Sequence, residues 1–454
     1  MDLGFETIGN ATLICHDKIP VLVTDPWITG PAYFGSWTRS HEIPAEQMEN
    51  IVRSRFVWIS HGHPDHLSAD SIELLKGKKF LLPDHVGNRI FDGLRALGLD
   101  VRILKSRQWT NLSDRIRVLS IADFNQDGIL LVDLDGTLVV NLNDASDRGW
   151  GRFIRKVVRG HKVSFLLKLS GFGDAEMIHL FDEEGRFISP PAAKKDPVGK
   201  QITHLAAQYG VKFFVPFSSM HRYQRADSVW ANQYITPAEE YEKGFTSTQC
   251  ELLPAFIRYD CARQSLERID PPPASPRVFS PEEFGDDWSE TPTADDKAKL
   301  TAYFHGFDHV RNHFGFICFN IGGEYHAIDL NGARRSLGVT FAAPRHSLML
   351  AVENEIFDDL LIGNFMKTTL HGDHGVRPLY PDFTPYIAKY GDNGRAKTAD
   401  ELDRYFTQYR KRSPMDYFYQ QLENRSAKIF RSLVSPDSRA YSIARNIYYR
   451  AKEI

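Results

Sequence analysis

The sequence predicts a mixed α/β fold, and three observations predict it. Short apolar runs bounded by Gly, Pro, Asp or Asn alternate with helical patterns over the first 220 residues, the order of an α/β core. The 454 residues are 42% apolar and 25% charged, with 30 Phe, 18 Tyr and 7 Trp. That composition can bury a large core and carries too much apolar surface for a disordered chain. A cluster of His and Asp sits in the turn directly after one of the apolar runs.

The elements follow in order. Runs 21–24, 56–60, 79–82, 101–104, 129–132, 138–141, 164–167 and 212–216 predict strands, several of them rich in Val and Ile. Asp135-Gly136 between two such runs predicts a hairpin. Helical patterns fall at 69–76, 87–97 and 197–209. Pro271-Pro-Pro-Ala-Ser-Pro276 and nearby acidic residues propagate neither helix nor sheet. They make 271–298 a linker between a first domain, 1–270, and a smaller α+β unit, 299–395, with a helical tail over 396–454. In the smaller unit 314–321 and 325–330 predict strands around Gly322-Gly323, and 346–366 predicts a helix. A further helix is predicted at 399–409, and from Met415 the aromatics fall at helical spacing among many Arg residues, a packing helix with a basic solvated face.

Several function classes are excluded. Lys+Arg 55 against Asp+Glu 58 leaves −3, so no bulk field favours nucleic acid or an acidic membrane, and neither is an expected partner. No apolar run approaches the roughly 18 residues that span a bilayer. The first residues lack a basic-then-apolar signal. Cys15, Cys250, Cys261 and Cys318 show no paired spacing, which argues against a disulfide scaffold and for a reducing, cytoplasmic setting.

The chemistry concentrates in Ile59-Ser-His61-Gly-His63-Pro-Asp65-His66-Leu67, which places three imidazoles and a carboxylate within six residues. Only 17 His occur in the chain, so chance is a poor explanation. Imidazole and carboxylate suit Zn, Fe and Mn. His61 and His63, two apart, can face one ion from the same side of an extended segment. Asp65 and His66 then turn the chain toward a second ion. Other clusters carry less. His305, His309 and His313 are spaced to stack on one helix face, which reads as a partly buried His surface, and His371-Gly-Asp373-His374 reads as a solvated loop. Trp27, Tyr33, Phe34 and Trp37 read as core around the mouth of the site. Lys194-Lys195, Arg222 and Arg225 read as solvated, with Arg222 raised by its place beside His221 to a candidate contact for a phosphate or carboxylate of the substrate.

The H-x-H-x-D-H pattern is similar to that of the metallo-β-lactamase superfamily. Gly9-Asn-Ala-Thr12 resembles that superfamily's opening hairpin, and Asp25-Pro-Trp27 its Asp-Pro strand end. Asp25-Pro-Trp-Ile-Thr-Gly-Pro-Ala32, the 59–68 motif, 127–144 and Phe357-Asp-Asp-Leu-Leu-Ile-Gly363 resemble segments of the catalytic region of the CMP-N-acetylneuraminate hydroxylases, over roughly residues 5 to 390. The resemblance implies a four-layer αβ/βα sandwich with a metal site at the edge of two sheets. It implies that Asp144, after an apolar strand, bridges two divalent ions, with Fe expected and Zn or Mn as alternatives. It implies His221 on the second ion with Asp65 and His66, and His179 as a weaker rival.

Two departures follow. No His stands between His85 and His161, where the third motif expects one, and alignment puts Asp123 there, with Asn125 and Asp127 as neighbours that could substitute. His61, His63 and Asp123 would then form the two-imidazole, one-carboxylate set of non-haem iron oxygenases. The hydroxylases also carry a Rieske centre, and none of the four Cys has its C-x-H context, so an external donor, a ferredoxin or Rieske protein, is the expected partner alongside a small-molecule substrate. The expected function is a non-haem iron oxygenase acting on a small polar, nucleotide-sugar-like substrate, with Asp65 and Arg222 as catalytic candidates. The alternative is a metal-dependent hydrolase of an ester, lactone or phosphodiester.

Overall fold

The computed structural model describes residues 1–171, 178–330, 332, 335–375 and 378–422. Two large sheets form its first part. One has eight strands in the order Ser265–Arg268, Ile257–Asp260, Leu3–Ile8, Thr12–Asp17, Ile19–Thr24, Phe56–Trp58, Lys79–Leu82, Asp100–Ile103. The other has seven, Glu251–Leu252, Phe213–Phe217, Val163–Leu169, Thr137–Asn143, Gly128–Leu134, Ile116–Ala122 and Trp109–Asn111. Asp135 and Gly136 both have positive φ, 49° and 95°, and close the expected hairpin.

Strand periodicity explains the layers. Phe5, Leu13, Leu22 and Trp58 of the first sheet meet Leu130, Val139, Phe165 and Val215 of the second. Their neighbours one position along, such as Ile14, Val23, Val57, Ile129, Leu131 and Val140, pack with Ile51, Ile72, Leu94, Ile154 and Ile202 on the outer helices. The inner strands, such as Thr12–Asp17, Gly128–Leu134 and Thr137–Asn143, are buried on both faces, which is why the apolar runs at their centres are continuous. The result is the four-layer αβ/βα sandwich.

A third sheet of five strands runs Leu180–Phe181, Lys367–His371, Gly338–Ala342, Phe316–Ile321, Glu324–Asp329. Its core gathers Phe304, Phe319, Phe341 and Phe357. Leu180–Phe181 comes from the first part of the chain and pairs in parallel with Lys367–His371. Residues 271–280 lie back on the sandwich, where Ala274 N donates to the Ser40 carbonyl and Phe279 N to that of Gln224. The buried Arg225 holds Asp286 at 2.6 Å and stacks over Phe365 at 3.9 Å.

The single helix expected at 346–366 is corrected to two, Arg345–Glu353 and Phe357–Gly363. Glu355, at φ 54°, and Asn364, at φ 56°, take left-handed backbone that a helix interior does not tolerate, and strand Lys367–His371 begins soon after. The tail helix covers Ala399–Arg412, and 414–422 are helical. The rest of the expected tail, 423–454, lies outside the described residues. No helix among the described residues is long and apolar enough to cross a membrane.

Candidate metal centre

Topology delivers the motifs to one edge. Ile19–Thr24 and Phe56–Trp58 are parallel neighbours, and so are Thr137–Asn143, Val163–Leu169 and Phe213–Phe217 in the other sheet. Their carboxyl ends lead into Asp25, Ser60–His66, Asp144 and Ser218–His221, and parallel strands send such ends to the same edge. At three of these exits a residue other than Gly has positive φ: Asp25 at 40°, Asn143 at 54° and Ser218 at 61°. Such backbone is costly and persists where surrounding contacts impose it.

The contacts that impose it are buried hydrogen bonds. Asp25 Oδ1 accepts from Ser60 N at 2.7 Å and its Oδ2 from Asn143 Nδ2 at 2.6 Å. Asn143 Nδ2 also lies 3.1 Å from His66 Nδ1, and Ser218 Oγ donates to Asp144. Asp65 accepts from Asn10 Nδ2 at 2.9 Å and from Tyr33 OH at 2.5 Å.

Ligand-type atoms of His61, His63 and Asp144 all fall within 4.8 Å of one another. His61 Nε2 and His63 Nδ1 are 2.9 Å apart, and Asp144 Oδ2 is 3.7 Å from the former. His66 Nε2 sits 3.2 Å from Asp65 Oδ2 and 3.3 Å from Asp144 Oδ2. The His61 and His66 rings are 4.2 Å apart, centroid to centroid. His221 is buried and stacks on Trp37 at 3.5 Å with planes 5° apart.

Charge follows from burial and neighbours. Burial, with His66 and His63 beside it, holds His61 well below the usual imidazole range, so it is neutral, the form that ligates. Burial opposes a charge on His66, but the Asp65 and Asp144 carboxylates outweigh it and keep the ring protonated. Burial lowers His221 to about 3, although Asp65 and Asp144 pull the other way. Asp65 pays the cost of burial yet stays ionised, held down by His66 and His63 and by the Tyr33 hydroxyl.

The structure does not bring Asp123 into this group. Its Oδ1 accepts from the amides of Asn125 at 2.7 Å and Asp127 at 3.1 Å, as a turn acceptor, and its Oδ2 lies 3.8 Å from Arg148 Nε. Arg222 lies on the opposite face of its strand from His221. In strand His221–Tyr223 the side chains alternate, so His221 and Tyr223 are buried and Arg222 between them is exposed. His179 packs against Trp230, 4.5 Å between ring centroids.

Residues that the sequence reading passed over complete the surroundings. Asp358 Oδ2 is 2.9 Å from His63 Nε2, across 295 positions of chain. Burial, then Asp358 and Asp65, push Asp359 well above the carboxylate range. Lys389 Nζ lies 3.6 Å from Asp127 Oδ1, and Asp127, Asp358 and Asp144 keep it charged against burial. The available signal was Asp358-Asp359 inside Phe357–Gly363, a helix buried along its whole length. Two adjacent acids have no place in such a helix unless something pairs with them.

No family model matches the chain. Over 140 residues it is 31% identical to a cytidine monophosphate-N-acetylneuraminic acid hydroxylase from Danio rerio, covering 29% of this chain and 24% of that protein. The Macaca mulatta protein of the same description is 28% identical over 169 residues, 35% of this chain and 29% of that one. The chain thus matches about a quarter of the length of these curated relatives. The likeness read from the motifs is borne out, over a stretch shorter than the span from 5 to 390 on which single motifs match. Among solved structures, the metallo hydrolase Igni18 from Ignicoccus hospitalis aligns at TM-score 0.35 and 13% identity, covering 59% of this chain and 99% of that one. CmlA, a diiron β-hydroxylase from Streptomyces venezuelae, aligns at TM-score 0.33 and 13% identity, covering 48% and 45%.

Proposed function

We propose that this chain is a metal-dependent oxygenase that hydroxylates a small polar, nucleotide-sugar-like substrate at a two-ion centre. The observation that carries the reading is the convergence of His61, His63 and Asp144 beside the buried carboxylates Asp65, Asp358 and Asp359. The donor set fits divalent ions. The proton on His66 neutralises Asp65 and Asp144, the task a cation would take over, and metal binding releases such protons. His61, His63 and Asp144 would hold one ion, and Asp65, His66 and His221 are the residues that would hold a second.

Imidazole mixed with carboxylate suits Fe(II), Mn(II) and Zn(II) alike, so the bound metal is the quantity to measure. Iron held here supplies the activation of O₂, with electrons from an external ferredoxin or Rieske protein. Tyr33 and Asn10 fix the orientation of Asp65. Burial beside Asp358 and Asp65 favours the protonated form of Asp359. Asp358 fixes the ring of His63, the role carboxylates commonly play behind metal-bound imidazoles.

A metal-dependent hydrolase is the second reading, favoured by one feature: Asp65 is ionised and held in one orientation by Tyr33 and Asn10, as a residue that would ligate the second ion and orient a hydroxide on it needs to be. Purification without added metal separates the two. Iron near about two equivalents per chain, with reductant-dependent O₂ consumption, supports the oxygenase. Tightly bound zinc with esterase or phosphodiesterase turnover overturns it in favour of the hydrolase.

A further inference from the structure

A second set of ligand-type side chains converges in the C-terminal unit, and neither reading of the centre uses it. Gly306 follows helix Ala294–His305, and a new helix, Asp308–His313, begins two residues later. His305 is therefore separated from the face on which the sequence placed it, and its Nε2 sits 3.0 Å from the Asp329 carbonyl. His309 and His313, four apart on the second helix, stack with centroids 3.8 Å apart and planes at 18°.

The two rings are fixed from outside. His313 Nδ1 lies 2.8 Å from the His309 carbonyl, so Nδ1 carries the hydrogen and Nε2 keeps its lone pair. Tyr386 stacks on His309 at 3.3 Å with planes at 1°. Asp382 Oδ1 lies 3.2 Å from His309 Nε2. Ligand atoms of His309, His313 and Asp382 all fall within 4.8 Å of one another, and all three residues are half-buried.

We propose that His309, His313 and Asp382 form a divalent transition-metal site separate from the centre at His61. Two imidazoles and one carboxylate match the three-protein-ligand zinc sites that leave a position for water. Imidazole-rich donors take Zn(II), Ni(II) or Cu(II) ahead of harder ions. The partial exposure lets an ion enter and water complete its shell. An ion here ties helix Asp308–His313 to the chain just ahead of Pro385–Asn393, the segment that carries Lys389 toward the centre. The inference does not rest on the oxygenase reading.

The test uses the untagged full chain, stripped by chelator and titrated with Zn(II) alone. The wild type is expected to bind one equivalent more than His313→Gln, with unchanged circular dichroism. Equal stoichiometry in the two proteins overturns the site. A second measurement removes the main centre: a His61→Ala plus His66→Ala chain should keep one equivalent and lose it when His313→Gln is added. Retention after that addition overturns the proposal, and should the double variant fail to fold, the comparison in the wild-type background decides alone.

Discussion

The two halves of the centre are supported by different parts of the chain. The Asp65–His66 half leans on Asn10 and Tyr33, which donate to Asp65, and on Asp25, which faces His66 Nδ1 and accepts from Asn143, all within the sandwich. The His61–His63 half keeps one contact inside the sandwich, Ser60 Oγ at 2.9 Å from His61 Nδ1, and otherwise leans on Asp358 and Lys389, which arrive from the five-stranded unit. In the first half the supporting residues also hold the sheets' edge together. In the second Asp358 and Lys389 bear on the imidazoles without pairing any backbone amide of the sandwich. Support that is shared with the fold should show up as stability, and support that is added from outside should show up as metal affinity.

Asp25→Ala gives the largest expected effect. The change strips the acceptor from Ser60 N and Asn143 Nδ2, both buried, and removes a carboxylate facing His66. Breaking a buried charged network costs about 3–5 kcal/mol. Urea unfolding of the metal-free variant should show that loss, and a change below about 1 kcal/mol, the level of a surface substitution, would break the comparison.

Asp358→Asn should act on the other quantity. The amide oxygen can still accept from His63, but the charge is gone. Metal affinity is expected to fall about 10–100-fold, the usual consequence of losing an outer carboxylate. The urea midpoint should move far less than in the Asp25 variant. If unfolding and metal titration respond equally in both variants, the two halves do not differ.

This division also explains what the sequence revealed. The ligand residues of both halves were legible because they lie in short local motifs, each at the end of an apolar strand, and strand periodicity places them. Lys79–Leu82 and Val198–Tyr209 were equally plain, because apolar spacing and flanking Gly or Pro act over a few residues. Asp358 and Lys389 were not legible, since their partners are hundreds of positions away and no local pattern encodes that meeting. The place of Arg222 relative to His221 was hidden for a related reason. Proximity to His221 along the chain is separation across the strand, because alternate side chains face opposite ways.

Asp123 supplies the sharpest test of where the sandwich's half ends, and its effect is confined to one pH window. Burial and the neighbouring Asp127 raise its carboxyl to about 7, against the pull of Arg148 and the turn amides. In the metal-free chain the native state therefore keeps a proton that the unfolded state has released. The unfolded chain binds fewer protons between about pH 4 and 7, so stability falls as pH rises through that window. Asp123→Asn keeps an oxygen for the two amides and cannot ionise. It should flatten that slope and leave the metal-free variant more stable than wild type at pH 8, by up to about 4 kcal/mol, the order of a three-unit shift. At pH 4 the difference should vanish. Metal content should stay as in wild type, because Asp123 lies outside the group formed by His61, His63 and Asp144. Loss of one bound ion would instead make Asp123 the ligand that the resemblance implies. The turn from Asp123 to Asp127 would then have to rearrange on loading, giving up the hydrogen bonds from the amides of Asn125 and Asp127.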